Sequence, residues 1–175
     1  MLERSGTISW IWDGKRSNEA MHSDLSNLLY TRYPDIFADK DAPLTDSLMG
    51  FGFTHGDGWY FIIDNLCRCI QNHVEWKRKT NPAFYVKAVQ VKEKFGTLRF
   101  YIEGGDEEVY GMIKMAECMS RNVCEITGDI GSSTIPPMWA TRSPECQEKP
   151  TEAQMNRVLN FVNKIESEDP NYYDI

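Results

Sequence analysis

The chain has 175 residues, 41% of them apolar and 26% charged, which suits one hydrophobic core and excludes a disordered composition. Its formal net charge of −7 argues against general affinity for nucleic acid or anionic membrane surfaces. No apolar run is long enough to span a bilayer, and the opening residues lack the apolar core of a signal peptide, so a cytoplasmic protein is expected, with no membrane association and reduced cysteines.

Thr7 to Trp12 alternates as a short strand does and stops at Asp13-Gly14. Asn18 is the expected cap of a helix that turns Met21, Leu25, Leu28 and Leu29 inward and ends at Pro34. Asp39 to Pro43 reads as a polar loop. The strongest helix follows Gly56-Asp57-Gly58, where Trp59, Ile62, Ile63, Leu66, Ile70 and Val74 recur at three- and four-residue steps as far as about Lys79. Asp57 is its expected cap.

A hairpin comes next. Val86 to Glu93 is rich in strand formers, Phe95-Gly96 supplies the turn, and Thr97 to Ile102 alternates. Leu98, Phe100 and Ile102 share one face, and Thr97, Arg99 and Tyr101 the other. Gly104-Gly105 breaks the strand and Asp106 caps a helix with Glu107 and Glu108 in its first turn. Val109, Met112, Ile113, Ala116 and Met119 form its expected buried stripe. The stretch from Gly104 to Glu108 resembles the diguanylate cyclase signature over five residues only, and a strand break followed by a cap accounts for it. From about 123 to 149 the chain is irregular. Thr151 and Gln154 then open a C-terminal helix, 151–166, as a capping box.

These elements amount to an α+β fold in a single domain, 1–175: a small, mainly antiparallel sheet containing the hairpin, packed by two or three amphipathic helices.

Candidate chemistry is sparse. His55, Asp57 and Trp59 surround a glycine-rich loop at a helix start, where free N–H groups could hold an anion. His55 with Asp57 or Asp64 is the one acid–base pairing worth naming. Between Lys77 and Arg99 stand seven cations and one anion, a local charge of +6 that leaves −13 for the rest of the chain. Lys92, Lys94 and Arg99 can therefore serve a weak ligand site together with the 55–59 loop, although solvated cations balanced by acids elsewhere are the commoner outcome. Cys69 and His73 lie four apart on one helix face, where a buried thiol and a boundary histidine explain them without metal. Cys124 and Cys146 would belong to two Cys-x-x-Cys knuckles if Thr127 and Ser143 were cysteines. With two thiolates left of four, the expectation is a vestigial zinc ribbon that has lost its metal, and no cofactor.

Phe53 to Trp59, Ile63 to Cys67, Val91 to Tyr101, Ala116-Glu117 and Cys124-Glu125, in that order, resemble a family of small, functionally uncharacterised proteins from bacteriophages, prophages and bacteria. Its members typically read Cys-Gly-Asp-Gly-Trp and often carry both complete knuckles. This chain departs at His55, Thr127 and Ser143. The resemblance covers roughly Tyr30 to Cys146 and implies no particular catalytic activity. It implies a phage-type accessory protein in the cytoplasm of a bacterial host, binding a host protein or complex, with inhibition of a defence or nucleic-acid-handling system as one such role. Two alternatives stay open: a nucleotide-like ligand binder or enzyme built on the basic hairpin and the 55–59 loop, and a nucleic-acid-binding zinc-ribbon relative without its metal.

Overall fold

In the computed structural model, residues 20–133 and 141–142 are described. The expected strand at 7–12, the residues Asn18, Ser143 and Cys146, and the helix 151–166 lie outside them. The fold is α+β. Helix α1 (Ser23–Arg32) is followed by a short strand β1 (Phe53–Thr54), the long helix α2 (Tyr60–Arg78), a hairpin of β2 (Val86–Lys94) and β3 (Thr97–Gly104), and helix α3 (Glu107–Ser120). A two-residue ladder, β4 (Ser132–Ser133) with β5 (Thr141–Arg142), closes the described chain.

α1 starts later than the sequence suggests. Its cap is His22, whose Nδ1 accepts from the Asp24 N–H at 3.3 Å, and not Asn18. Leu25 and Leu29 face the core one turn apart, while Leu28, expected inward, sits at the margin of that stripe and is 40% exposed. Arg32 is its last residue, just before Pro34. Tyr30, Phe37 and Phe53 then gather with ring centroids 5.4–5.5 Å apart, in edge-on and offset arrangements that suit aromatic quadrupoles.

α2 buries the expected stripe, Ile62, Ile63, Leu66, Ile70 and Val74, with Trp59 in the 3-10 turn Asp57–Trp59 that leads into it. The sheet order is β1-β2-β3: β1 runs parallel to β2 over two residue pairs, and β2 pairs antiparallel with β3 along the hairpin. Phe95 and Gly96 both take positive φ, 52° and 76°, as a primed two-residue turn requires. Val89 is an extra residue: Ala88 faces Ile102 and Gln90 faces Tyr101, so the register slips by one between them. The bulge moves the inward positions from Val86 and Ala88 to Val91, and so lets one strand of unbroken β-formers keep its core face.

α3 packs on α2 and along the free edge of β3. Asp106 caps it as expected, its carboxylate accepting from Val109 N–H at 3.2 Å. Val109, Ile113 and Ala116 are buried and Met112 is partly so, but Met119 is 49% exposed, because the buried stripe runs on from Ala116 to Ser120 and leaves Met119 on its flank. On the β3 edge, Ser120 Oγ accepts from Leu98 N–H at 2.9 Å and Glu117 Oε1 from Phe100 N–H at 3.4 Å. A helix thereby satisfies strand donors that would otherwise offer a pairing edge.

Candidate functional site

The loop before α2 is where the sequence places its candidate ligand residues, and the fold uses it differently. Gly58 donates its N–H to Glu125 O at 2.8 Å, and Trp59 Nε1 donates to Val123 O at 2.8 Å. A Cβ on Gly56 would stand 2.5 Å from Glu125 O, and one on Gly58 would overlap the Cys124 carbonyl and the Gly128 amide. The Gly-x-Gly spacing therefore lets two backbones touch. What it receives is the turn at Cys124 to Gly128, closed by Gly128 N–H donating to Cys124 O at 2.9 Å and Cys124 N–H donating to Asp129 O at 2.8 Å.

His55 lies inside this junction, 1% exposed, with its ring 5.3 Å from Trp59 and 5.9 Å from Phe53. Nδ1 meets the Gly56 carbonyl at 3.0 Å, and Nε2 has no hydrogen-bond partner among the described residues. Burial lowers its pKa to about 4, against the opposing pull of the Gly56 carbonyl and the Asp57 charge.

These positions correct several expectations. Trp59 is fully buried, so neither it nor His55 offers a face to a ligand. The residues at the cap positions of the 3-10 turn and of α2 are Gly56 and Trp59, not Asp57; Asp57 Oδ1 accepts from His22 N–H at 2.6 Å, tying the start of α1 to the start of α2. The acid–base pairing of His55 does not form a hydrogen bond with either carboxylate, since Asp64 Oδ1 takes Arg32 Nη1 at 3.0 Å and the Tyr33 hydroxyl at 2.9 Å. Cys69 is exposed and His73 buried, the reverse of the expected order. His73 Nε2 lies 3.0 Å from Asp106 Oδ2, and Nδ1 lies 3.1 Å from Glu108 Oε2, so the ring joins α2 to the cap of α3.

The expected knuckle positions are described in part. Cys124 is buried, and the Thr127 hydroxyl accepts from Asp129 N–H at 3.2 Å. A hydroxyl already used to close the turn is a poor replacement for a thiolate. Among the described residues no group of three or more His, Cys, Asp or Glu side chains is placed to hold a metal. The residues present do not fit a four-sulfur site.

The basic strip resolves into two parts. Lys77 pairs with Asp106 at 3.0 Å, Arg78 with Asp35 at 3.1 Å, and Lys87 with Asp39 at 3.0 Å and Glu103 at 3.2 Å. Arg99 reaches Glu117 at 4.0 Å. Lys92 and Lys94 pair with no carboxylate among the described residues, and each leans on an aromatic ring instead: Lys92 Nζ over Tyr101 at 5.8 Å and Lys94 Nζ over Phe95 at 5.3 Å. Lys92 faces Arg99 across the ladder and Thr54 on the other side. The 55–59 loop thus begins beside the basic end of the hairpin, but His55 and Trp59 turn into the core while the lysines stay outside. The exposed rings were the missed signal: alternation placed Tyr101 on the outer face, and a residue at a hairpin tip has no core to enter.

Among the described residues no helix is long and apolar enough to cross a membrane. No known protein family, curated protein or solved structure matches the chain.

Proposed function

We propose that this chain is a phage-type accessory protein that works by binding a host protein, with no chemistry of its own at the 55–59 loop. The observation that carries the reading is a contrast in exposure. The two rings best suited to a ligand pocket, His55 and Trp59, are sealed, whereas Phe61, Trp76, Phe95 and Met115 are each more than half exposed. Exposed aromatic and methionine side chains are the residue types that anchor protein interfaces. Blocking a defence or nucleic-acid-handling complex is one role within this reading.

The test is a pull-down from bacterial host lysate with nuclease treatment and a salt series. One protein retained in stoichiometric amount through moderate salt supports the reading. Recovery of nucleic acid or nucleotide in place of protein overturns it in favour of a ligand-binding role for Lys92, Lys94 and Arg99.

A further inference from the structure

We infer that the surface facing the partner is the outer face and tip of the β2–β3 hairpin, and that it takes an acidic segment of another protein. The inference rests on the partner-binding reading above and adds the place and the chemistry.

Charge supplies the first reason. The base of the hairpin is neutralised by its own surroundings: Lys87 lies between Asp39 and Glu103, and the Tyr85 hydroxyl also donates to Glu103 at 2.9 Å. Toward the turn this compensation thins: among the described residues Lys92 and Lys94 pair with no carboxylate. Lys92 and Lys94 are two residues apart on one face, Arg99 is the cross-strand partner of Lys92, and its nearest carboxylate, Glu117, is 4.0 Å away. The one anion in this stretch of β2, Glu93, accepts from the Gly96 N–H. A positive end is left on an otherwise acidic molecule.

Aromatic exposure supplies the second. Phe95 is 59% and Tyr101 41% exposed beside those cations. A surface of ammonium groups and rings suits a partner that offers carboxylates with apolar side chains between them. Nucleic acid fits less well. Each ring already has a lysine over it, so a stacking base would have to displace the ammonium. The −13 carried by the rest of the chain also repels a long polyphosphate more than a short acidic segment.

The edge of β3 supplies the third. Ser120 and Glu117 occupy Leu98 N–H and Phe100 N–H, so the partner is not added as a further strand there. Side chains on the open face and at the tip make the contact.

Two probes and two variants test this. The probes are a fluorescent glutamate-rich peptide carrying one phenylalanine, and an oligo-dT of equal charge. The variants are Lys92→Glu with Lys94→Glu, and Phe95→Asn, which keeps a residue tolerant of positive φ in the turn. Unchanged melting temperatures establish that both fold. The expected result is peptide binding that is at least tenfold weaker in each variant, with oligo-dT bound more weakly than peptide. Tighter binding of oligo-dT, or peptide binding unchanged in both variants, overturns the inference. The lysate pull-down run with the same proteins separates the two readings. A host protein retained by wild type and lost by the variants supports both. One retained equally by all three leaves the partner reading standing and removes the hairpin from it. No protein retained by wild type removes both.

Discussion

Gly58 and Glu125, far apart in sequence, are joined by a 2.8 Å backbone hydrogen bond at a crossing that admits no side chain on Gly58. A Cβ there meets backbone on two sides, the Cys124 carbonyl and the Gly128 amide, and backbone yields less readily than the end of a flexible side chain. Gly58→Ala is expected to destabilise the protein by about 1–3 kcal/mol or more. Urea denaturation checks it: a midpoint within error of wild type would mean that the turn at 124–128 moves aside freely.

A second expectation concerns acid. His55 is buried with its pKa lowered to about 4 from 6.5. A group that resists protonation only in the folded state contributes stability above pH 6.5, and this is lost progressively as pH falls toward 4. The component amounts to about 2 kcal/mol between pH 7 and pH 5. His55→Phe removes the titrating group while keeping a ring beside Trp59. Urea midpoints at pH 7 and pH 5 should therefore fall further for wild type than for the variant. Equal falls would show that His55 is not neutral and enclosed.

Asp106 serves three donors at once. Burial pushes its carboxyl up, but hydrogen bonds from His73, Lys77 and the Val109 N–H outweigh that and hold it well below the usual carboxylate range. Its contribution is present above the ordinary carboxylate pKa and is lost as pH falls through the acid range. Asp106→Ala is expected to cost about 0.5–2 kcal/mol for the cap, with the partly exposed pairs adding less than about 1 kcal/mol. Asp106→Asn keeps a capping oxygen and should cost less than alanine. Thermal melts at pH 7 rank them, and an asparagine as damaging as alanine would place the weight on charge instead of capping.

Leu66 lies 5% exposed on the inner face of α2. Leu66→Ala should cost about 2–5 kcal/mol through lost transfer energy and the cavity left behind. An unchanged melt would contradict the packing of that helix.

What the sequence makes legible here is whatever repeats locally. The 3.6-residue period marks Ile62, Ile63, Leu66, Ile70 and Val74, and the Phe95-Gly96 pair marks the hairpin, because both signals lie within a few residues of what they determine. Asp57 shows the limit. An aspartate before a helix reads as its cap, yet its Oδ1 accepts from His22, 35 residues away, a contact that only tertiary packing makes. His55 is similar: a histidine beside Gly-Asp-Gly reads as a ligand residue, and its burial depends on where the 124–128 turn lands. The bulge at Val89 is hidden because every residue around it suits a strand in either register. In the basic strip the sequence supplies the cations, but which of them keep their charge available is decided by Asp35, Asp39, Glu103 and Asp106, none of which lies in the strip.

Ser120 carries the last expectation. Its hydroxyl accepts from Leu98 N–H at 2.9 Å while donating to Glu117 O at 2.7 Å, and Ser120 itself is fully buried. Alanine at this position leaves a buried backbone donor without its acceptor, at a cost of about 1–3 kcal/mol. The more specific consequence concerns association. Glu117 covers the next outward donor, Phe100 N–H, at 3.4 Å, so replacing both residues by alanine bares two successive donors on β3 beside the exposed Tyr101. Bare strand edges pair with one another. The double variant Ser120→Ala with Glu117→Ala should therefore elute at higher apparent mass with rising concentration, while Glu117→Ala alone, keeping the inner donor satisfied, should shift less. Light scattering on the eluting peaks reads the difference. A double variant that loses stability but keeps the apparent mass of wild type would mean that α3 shields the edge by its bulk and not by these two acceptors.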